Sequence, residues 1–179
     1  FSKMSNLSKE LRQKLADNFT ISRPKIVAEQ LSSDKTRKWL LEFKDGQRVE
    51  MVYIPEEDRG AVCISTQVGC AVGCKFCHTG SQKLTRNLTA GEIVGEFMVA
   101  RDTYGEWPSP TNETRYLSNI VVMGMGEPLH NMENTVKALQ ILTDGDGIAI
   151  SRRRVTMSTS GIAPKILSAL QQTGVRLAV

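Results

Sequence analysis

The chain has 179 residues, with 23 Lys+Arg against 19 Asp+Glu and a formal net charge of +4. That length suits one domain, or a domain with a small appendage, and the charge neither requires nor excludes an RNA partner. No apolar run exceeds four residues, as at 61–64, 97–100 and 120–123, which excludes a helical membrane span and a secretory core. With 14 Gly and six Pro among mixed residues, collagen-like and low-complexity chains also fall away.

Leu11 and Leu15, one helical turn apart, predict a helix over 8–18 with a Ser or Asn at its front. Strand-like runs over 38–43 and 48–54 flank Asp45-Gly46, a strong hairpin signal. The polar breaker 55–60 predicts a boundary, leaving 1–58 as a small α+β helix-plus-hairpin module and 59–179 as a second unit. Beyond it the expected order is a strand at 61–67, then a helix from Ala90 capped by Thr89, with Ile93, Val94, Phe97 and Met98 on its apolar face. A loop at 107–110, a strand at 119–123, a helix at 132–142 and a turn at 144–147 follow. A strand at 154–158, a helix at 163–172 and a strand from 175 complete the pattern.

Alternating strands and helices predict an α/β fold with a parallel sheet. About three and a half βα units are present, the N-terminal part of a larger barrel. The chain opens on Phe1 and stops at Val179 inside an apolar stretch, and both ends are expected to be cut.

All four cysteines, Cys63, Cys70, Cys74 and Cys77, fall within fifteen residues. A secreted disulfide scaffold would spread them to close sizeable loops; bunched thiols point to a reducing compartment and a metal or redox site. The C-x3-C-x2-C spacing of Cys70, Cys74 and Cys77 suits three corners of an iron–sulfur cube with the fourth iron free of protein. Zinc would want a fourth ligand, for which Cys63 and His78 are the near candidates. Phe76, between two thiols, is either a core aromatic or a wall against a ligand at the open iron.

Gly124-Met125-Gly126-Glu127 follows the 119–123 strand, and Ser158-Thr159-Ser160-Gly161 ends the next. Glycines there admit close main-chain approach and Glu127 can accept from an ammonium group, whereas the hydroxyls either meet a ligand or cap the helix, with Ser160 the better cap. All three signatures follow parallel strands, whose trailing loops converge on one face of such folds. Arg152, Arg153 and Arg154, with Lys83 and Arg86, are candidates for phosphate contact at that mouth or are simply solvated. Glu50 alternates with Val49, Met51 and Tyr53; buried, it would suit proton acceptance, and exposed, it would be a surface charge.

Cys70/Cys74/Cys77 resembles the cluster motif of the radical S-adenosylmethionine enzymes. The wider series is more specific: Arg48-Val49-Glu50, Tyr53-Ile54-Pro55, Cys63, the 123–129 segment and Arg153-Arg154-Val155-Thr156-Met157-Ser158-Thr159-Ser160-Gly161. Along essentially the whole chain it resembles the RlmN/Cfr branch, the dual-specificity adenine C2 methyltransferases of ribosomal and transfer RNA, with RlmN the closer match.

The resemblance implies that Cys70, Cys74 and Cys77 ligate a 4Fe–4S cluster and that S-adenosylmethionine meets Gly126, Glu127 and Ser158. It makes Glu50 the proton acceptor and Cys63 the thiol that resolves an RNA–enzyme adduct through a transient disulfide. It also implies a methylated-cysteine intermediate, a 5′-deoxyadenosyl radical, an external electron donor such as flavodoxin, rRNA and tRNA as partners, a cytoplasmic monomer, and an RNA-binding role for the N-terminal module. In the family the methyl-carrying cysteine lies late in the chain, and no cysteine follows Cys77 here. These 179 residues alone are therefore expected to be inactive.

Overall fold

The computed structural model describes residues 1–57, 59–107 and 115–179. Asp58, in the expected boundary, and the expected loop from Pro108 onward lie outside them.

Helix α1 (Lys9–Asn18) begins at Ser8, whose Oγ accepts the Leu11 N–H at 3.2 Å. Strands β1 (Lys25–Leu31), β2 (Arg37–Glu42) and β3 (Arg48–Pro55) form an antiparallel meander. The 25–31 strand is additional to the expected elements. Nearly all of it is exposed, so it lacks the apolar alternation by which a half-buried strand is recognised.

The meander continues into β4 (Gly60–Cys63), antiparallel to β3 and parallel to β7 (Leu117–Val122). Strands β8 (Val155–Ser158) and β9 (Arg176–Ala178) extend the parallel part, giving the seven-stranded order β1-β2-β3-β4-β7-β8-β9. Helices α3 (Ala90–Tyr104), α4 (Met132–Thr143) and α5 (Ala163–Thr173) connect the parallel strands. The α/β fold with three and a half βα units is therefore present. The expected Thr89 cap is a full capping box, with the Thr89 side chain accepting from Glu92 and Glu92 reaching back to the Thr89 N–H.

The expected 61–67 strand divides. Beyond Cys63 the pairing becomes irregular: Ile64 N–H still donates to Val121 O of β7 at 3.0 Å, but Ile64 O accepts from Gly124 N–H at 3.0 Å and Thr66 N–H donates to Met125 O at 2.8 Å, both past the end of β7. Pairing resumes in the short β5 (Gln67–Val68) and β6 (Arg86–Asn87), a separate two-stranded ladder with helix α2 (His78–Ser81) in the loop between them.

One face of the large sheet is the core. Trp39, Met51, Val62, Ile120, Val155 and Met157 are buried in one cluster with Ile93 and Phe97 of α3, Leu139 of α4 and Ala169 of α5. The other face, set by the two-residue period of the strands, carries the register-aligned row Val52–Cys63–Val121–Thr156–Arg176. That row is half-buried to exposed, so this second face of the sheet is open.

Candidate cofactor-binding site at the strand ends

The β5–β6 ladder is the stem of the cysteine loop. Thr85 N–H donates to Val68 O at 2.8 Å and Cys70 N–H reaches Gln82 O at 3.4 Å, closing the loop, while Cys77 N–H donates to Cys74 O at 3.1 Å in a tight turn. Asn131, at the start of α4, spans the base of the stem with Nδ2 donating to Thr66 O at 2.8 Å and to Leu88 O at 2.7 Å. All four cysteines are free thiols, with Cys70 and Cys74 half-buried and Cys77 exposed.

The Gly-Glu turn sits directly against this stem. A Cβ on Gly124 would lie 2.6 Å from Ser65 Oγ, and Gly126 has φ +99° with a hypothetical Cβ 2.5 Å from Gln67 Cβ. Both positions require glycine, the first for close approach and the second also for its backbone. Glu127 is only 3 % exposed. Its N–H donates to Gln67 Oε1 at 2.8 Å. Oε1 accepts from Leu129 N–H at 3.0 Å and from Thr159 Oγ1 at 2.7 Å, and Oε2 accepts from Ser160 N–H at 2.8 Å. A carboxylate offers about four lone-pair positions, so one on Oε2 remains for a ligand.

The 158–161 segment is thereby locked to Glu127, and Ser158 stands half-buried at the end of β8 on the open face. Ser160 does not cap α5, contrary to expectation. Thr159 Oγ1 takes the Gly161 and Ile162 N–H groups instead, because the Ser160 main chain is held by Glu127.

Cys63 lies in the middle of the open face, half-buried, and burial pushes its thiol up to about 11. Glu50 falls on the same face and is exposed, with its carboxylate 2.6 Å from Lys38 Nζ. Of the two alternatives for Glu50 the exposed one holds: Val49, Met51 and Tyr53 fill the core, and Glu50 alternates away from it. The Glu50 main chain still reaches the site, through N–H to Met125 Sδ at 3.4 Å and C=O to Ser65 Oγ at 2.8 Å.

Phe76 is 94 % exposed, which overturns its core alternative. Arg86 is not free for phosphate. It is paired with Asp45 and Glu92 and lies over the Phe43 ring. Arg152, Arg153 and Arg154 form a turn that precedes β8, and β8 runs parallel to β7 and β4. They therefore lie at the opposite end of the strands from the cysteine loop, where Arg153, Arg154, Arg59 and Arg176 line a cleft of about 480 Å³. A larger groove of about 600 Å³ runs along α3 past Ile21, Pro24 and Phe43, and no cysteine lines it.

Three groups escape sequence patterning. Gln67, Asn131 and Glu96 are buried polar residues, and an isolated amide or carboxyl inside an apolar segment carries no periodic signal. Glu96 Oε2 accepts from Ser65 N–H at 3.0 Å. Burial holds its carboxyl well above the usual carboxylate range, with Glu92 adding to the rise against that hydrogen bond.

The model of the Radical SAM superfamily matches residues 64–179, which span the loop, both turns and the three helices of the core. The chain belongs to the radical SAM superfamily. It is 62 % identical to the dual-specificity RNA methyltransferase RlmN of Rhodospirillum rubrum, over 100 % of this chain and 42 % of that protein. To the protein of the same name from Acidiphilium cryptum it is 60 % identical, over 100 % of this chain and 47 % of the relative. The crystal structure of a radical SAM methyltransferase from Sphaerobacter thermophilus matches 99 % of this chain and 51 % of that one, with a TM-score of 0.85 and 43 % identity. The chain thus spans about half the length of these relatives.

The donor set of this radical SAM chain fits an iron–sulfur cluster in number and kind: three free thiols on one hydrogen-bonded loop beside a buried acceptor, Glu127. Among the described residues no three His, Cys, Asp or Glu side chains converge as a metal cage.

Proposed function

We propose that this chain is the cofactor-binding portion of a radical SAM methyltransferase that modifies C2 of a specific adenine in 23S rRNA and in tRNA. Supporting this reading above all is one arrangement: the three-thiol loop, the Gly126–Glu127 turn and the Ser158–Ser160 segment cross-linked at the ends of β4, β7 and β8, above an open face that carries Cys63. The names of the relatives favour RNA as the substrate.

In this proposal Cys70, Cys74 and Cys77 hold a 4Fe–4S cluster, and S-adenosylmethionine rests on the Gly126 main chain, Glu127 and Ser158. When bound, the pair supplies the reductive radical chemistry needed to add a methyl carbon to an electron-poor ring position. Glu127 offers its remaining Oε2 lone pair to the cofactor's ammonium group. Glu50, exposed beside Lys38 on the open face, takes the proton lost from the base. Cys63, a thiol at neutral pH, resolves the covalent adduct with a methyl-carrying cysteine that these 179 residues do not contain. Residues 1–58 act as an accessory module for RNA, and residues 59–179 as part of the barrel. An external donor such as flavodoxin supplies electrons to a cytoplasmic, monomeric enzyme.

The test is to prepare the protein at its full encoded length without oxygen and incubate it with RNA, S-adenosylmethionine and a reductant. Digested nucleosides should contain 2-methyladenosine, and the 179-residue chain should yield none. Zinc in place of iron and sulfide, or an unmodified adenine pool, would rule the proposal out.

A further inference from the structure

The three loops at the strand ends are joined by a single run of hydrogen bonds. It begins at the stem of the cysteine loop, where Asn87 Oδ1 accepts from Gln67 Nε2 at 2.7 Å. Gln67 Oε1 then accepts the Glu127 N–H at 2.8 Å. From Glu127 the run passes to Thr159 Oγ1 at 2.7 Å and to Ser160 N–H at 2.8 Å. Gln67 is completely buried and both ends of its amide are used. Its main-chain N–H is engaged as well, donating to Met125 O at 3.1 Å.

Because a main-chain N–H can only donate, the Glu127 contact decides which end of the Gln67 amide is oxygen. The amine end must then face Asn87. The side chain is also the surface on which Gly126 rests, since a Cβ there would fall 2.5 Å from Gln67 Cβ and 2.7 Å from its Cγ. No other side chain among those described hydrogen-bonds both to the stem strand β6 and to the Gly126–Glu127 turn.

We infer that Gln67 is a positioning residue for S-adenosylmethionine, coupling the root of the cysteine loop to the Glu127 main chain so that cluster and cofactor contacts keep one relative placement. The inference rests on the proposed radical SAM chemistry of this site. Gln67 itself touches neither group; it acts through Glu127 and Gly126. A site whose partners are held before binding loses less conformational freedom when the ligand arrives. A leucine at this position fills similar space and makes neither hydrogen bond, so it frees the turn without hollowing the core. Asn87 is exposed, and its loss removes only the far anchor.

The full-length protein, reconstituted anaerobically, is titrated with S-adenosylmethionine while the electron paramagnetic resonance spectrum of the reduced cluster is followed. Gln67→Leu should keep wild-type iron and sulfide per chain and need at least tenfold more cofactor for half-saturation. Asn87→Ala should need severalfold more. Half-saturation of Gln67→Leu at the wild-type concentration overturns the inference. So does loss of cluster from Gln67→Leu together with wild-type binding by Asn87→Ala, because Gln67 would then be purely structural. A wild-type protein that assembles its cluster but shows no spectral response removes the cofactor reading itself, and the inference with it.

Discussion

Glu96 offers a direct test of how the β4 exit is held. Its side chain is 0 % exposed, Oε2 accepts the Ser65 N–H at 3.0 Å, and Oε1 has no partner. Burial raises its proton affinity above the ordinary glutamate value of 4.5. The native state therefore keeps a proton that the unfolded chain releases. The sign follows from linkage: wild-type stability falls as pH rises from the unfolded value toward the raised native one. One such group contributes a slope of up to about 1.4 kcal/mol per pH unit. Glu96→Gln keeps the acceptor for Ser65 and cannot ionise, so its advantage over wild type should grow with pH at up to that slope and then level off. Glu96→Ala strands a buried N–H, which costs about 1–3 kcal/mol, and loses two buried carbons besides. Urea denaturation of the three chains from pH 4 to 8, followed by circular dichroism, measures these differences. A Gln-minus-wild-type difference that is flat or shrinks with rising pH would show an ionised Glu96 and refute the reasoning.

Thr159→Val removes the hydroxyl that donates to Glu127 and accepts from Gly161; it should destabilise the chain by about 1–3 kcal/mol, with Thr159→Ser close to wild type in the same assay. Gly126→Ala forces a side chain onto φ +99° and against Gln67; a loss greater than about 1 kcal/mol is expected, and an unchanged urea midpoint contradicts the placement. Cys63, its thiol pushed up to about 11 by burial, should be alkylated by iodoacetamide in the metal-free chain at pH 8 at least tenfold more slowly than exposed Cys77. Its rate should climb about tenfold per pH unit toward pH 10, as the thiolate fraction does. Peptide mass spectrometry resolves the two sites, and equal rates would count against a buried Cys63.

Much of the fold is legible because periodic burial writes itself into local sequence. The Asp45-Gly46 turn, the Thr89–Glu92 cap and the apolar face of α3 are each decided within a few residues. Strand β1 escapes because it is almost wholly exposed, so no alternation marks it. The split of 61–67 escapes for the opposite reason: Ile64, Ser65 and Thr66 are as buried as a strand, yet after one bond from Ile64 N–H to β7 their main-chain partners are the turn that follows β7, Leu88, the Asn131 amide and a helical carboxyl.

By itself the sequence determined the chemistry on offer: three thiols at cluster spacing, a Gly-rich turn with one carboxylate, a hydroxyl-rich turn, and the βα rhythm that sends their loops to one end. Spacing suffices there because ligand donors on a single loop need no distant partner. Only the tertiary structure decided that Glu127 is cross-linked to Ser160, that Gln67 ties it to the loop stem, that Glu50 lies exposed on the open face and that the arginine turn lies at the far end. Those facts depend on strand order and register, which bring residues far apart in the chain into contact, and no local pattern records which distant group a buried amide or carboxyl will meet.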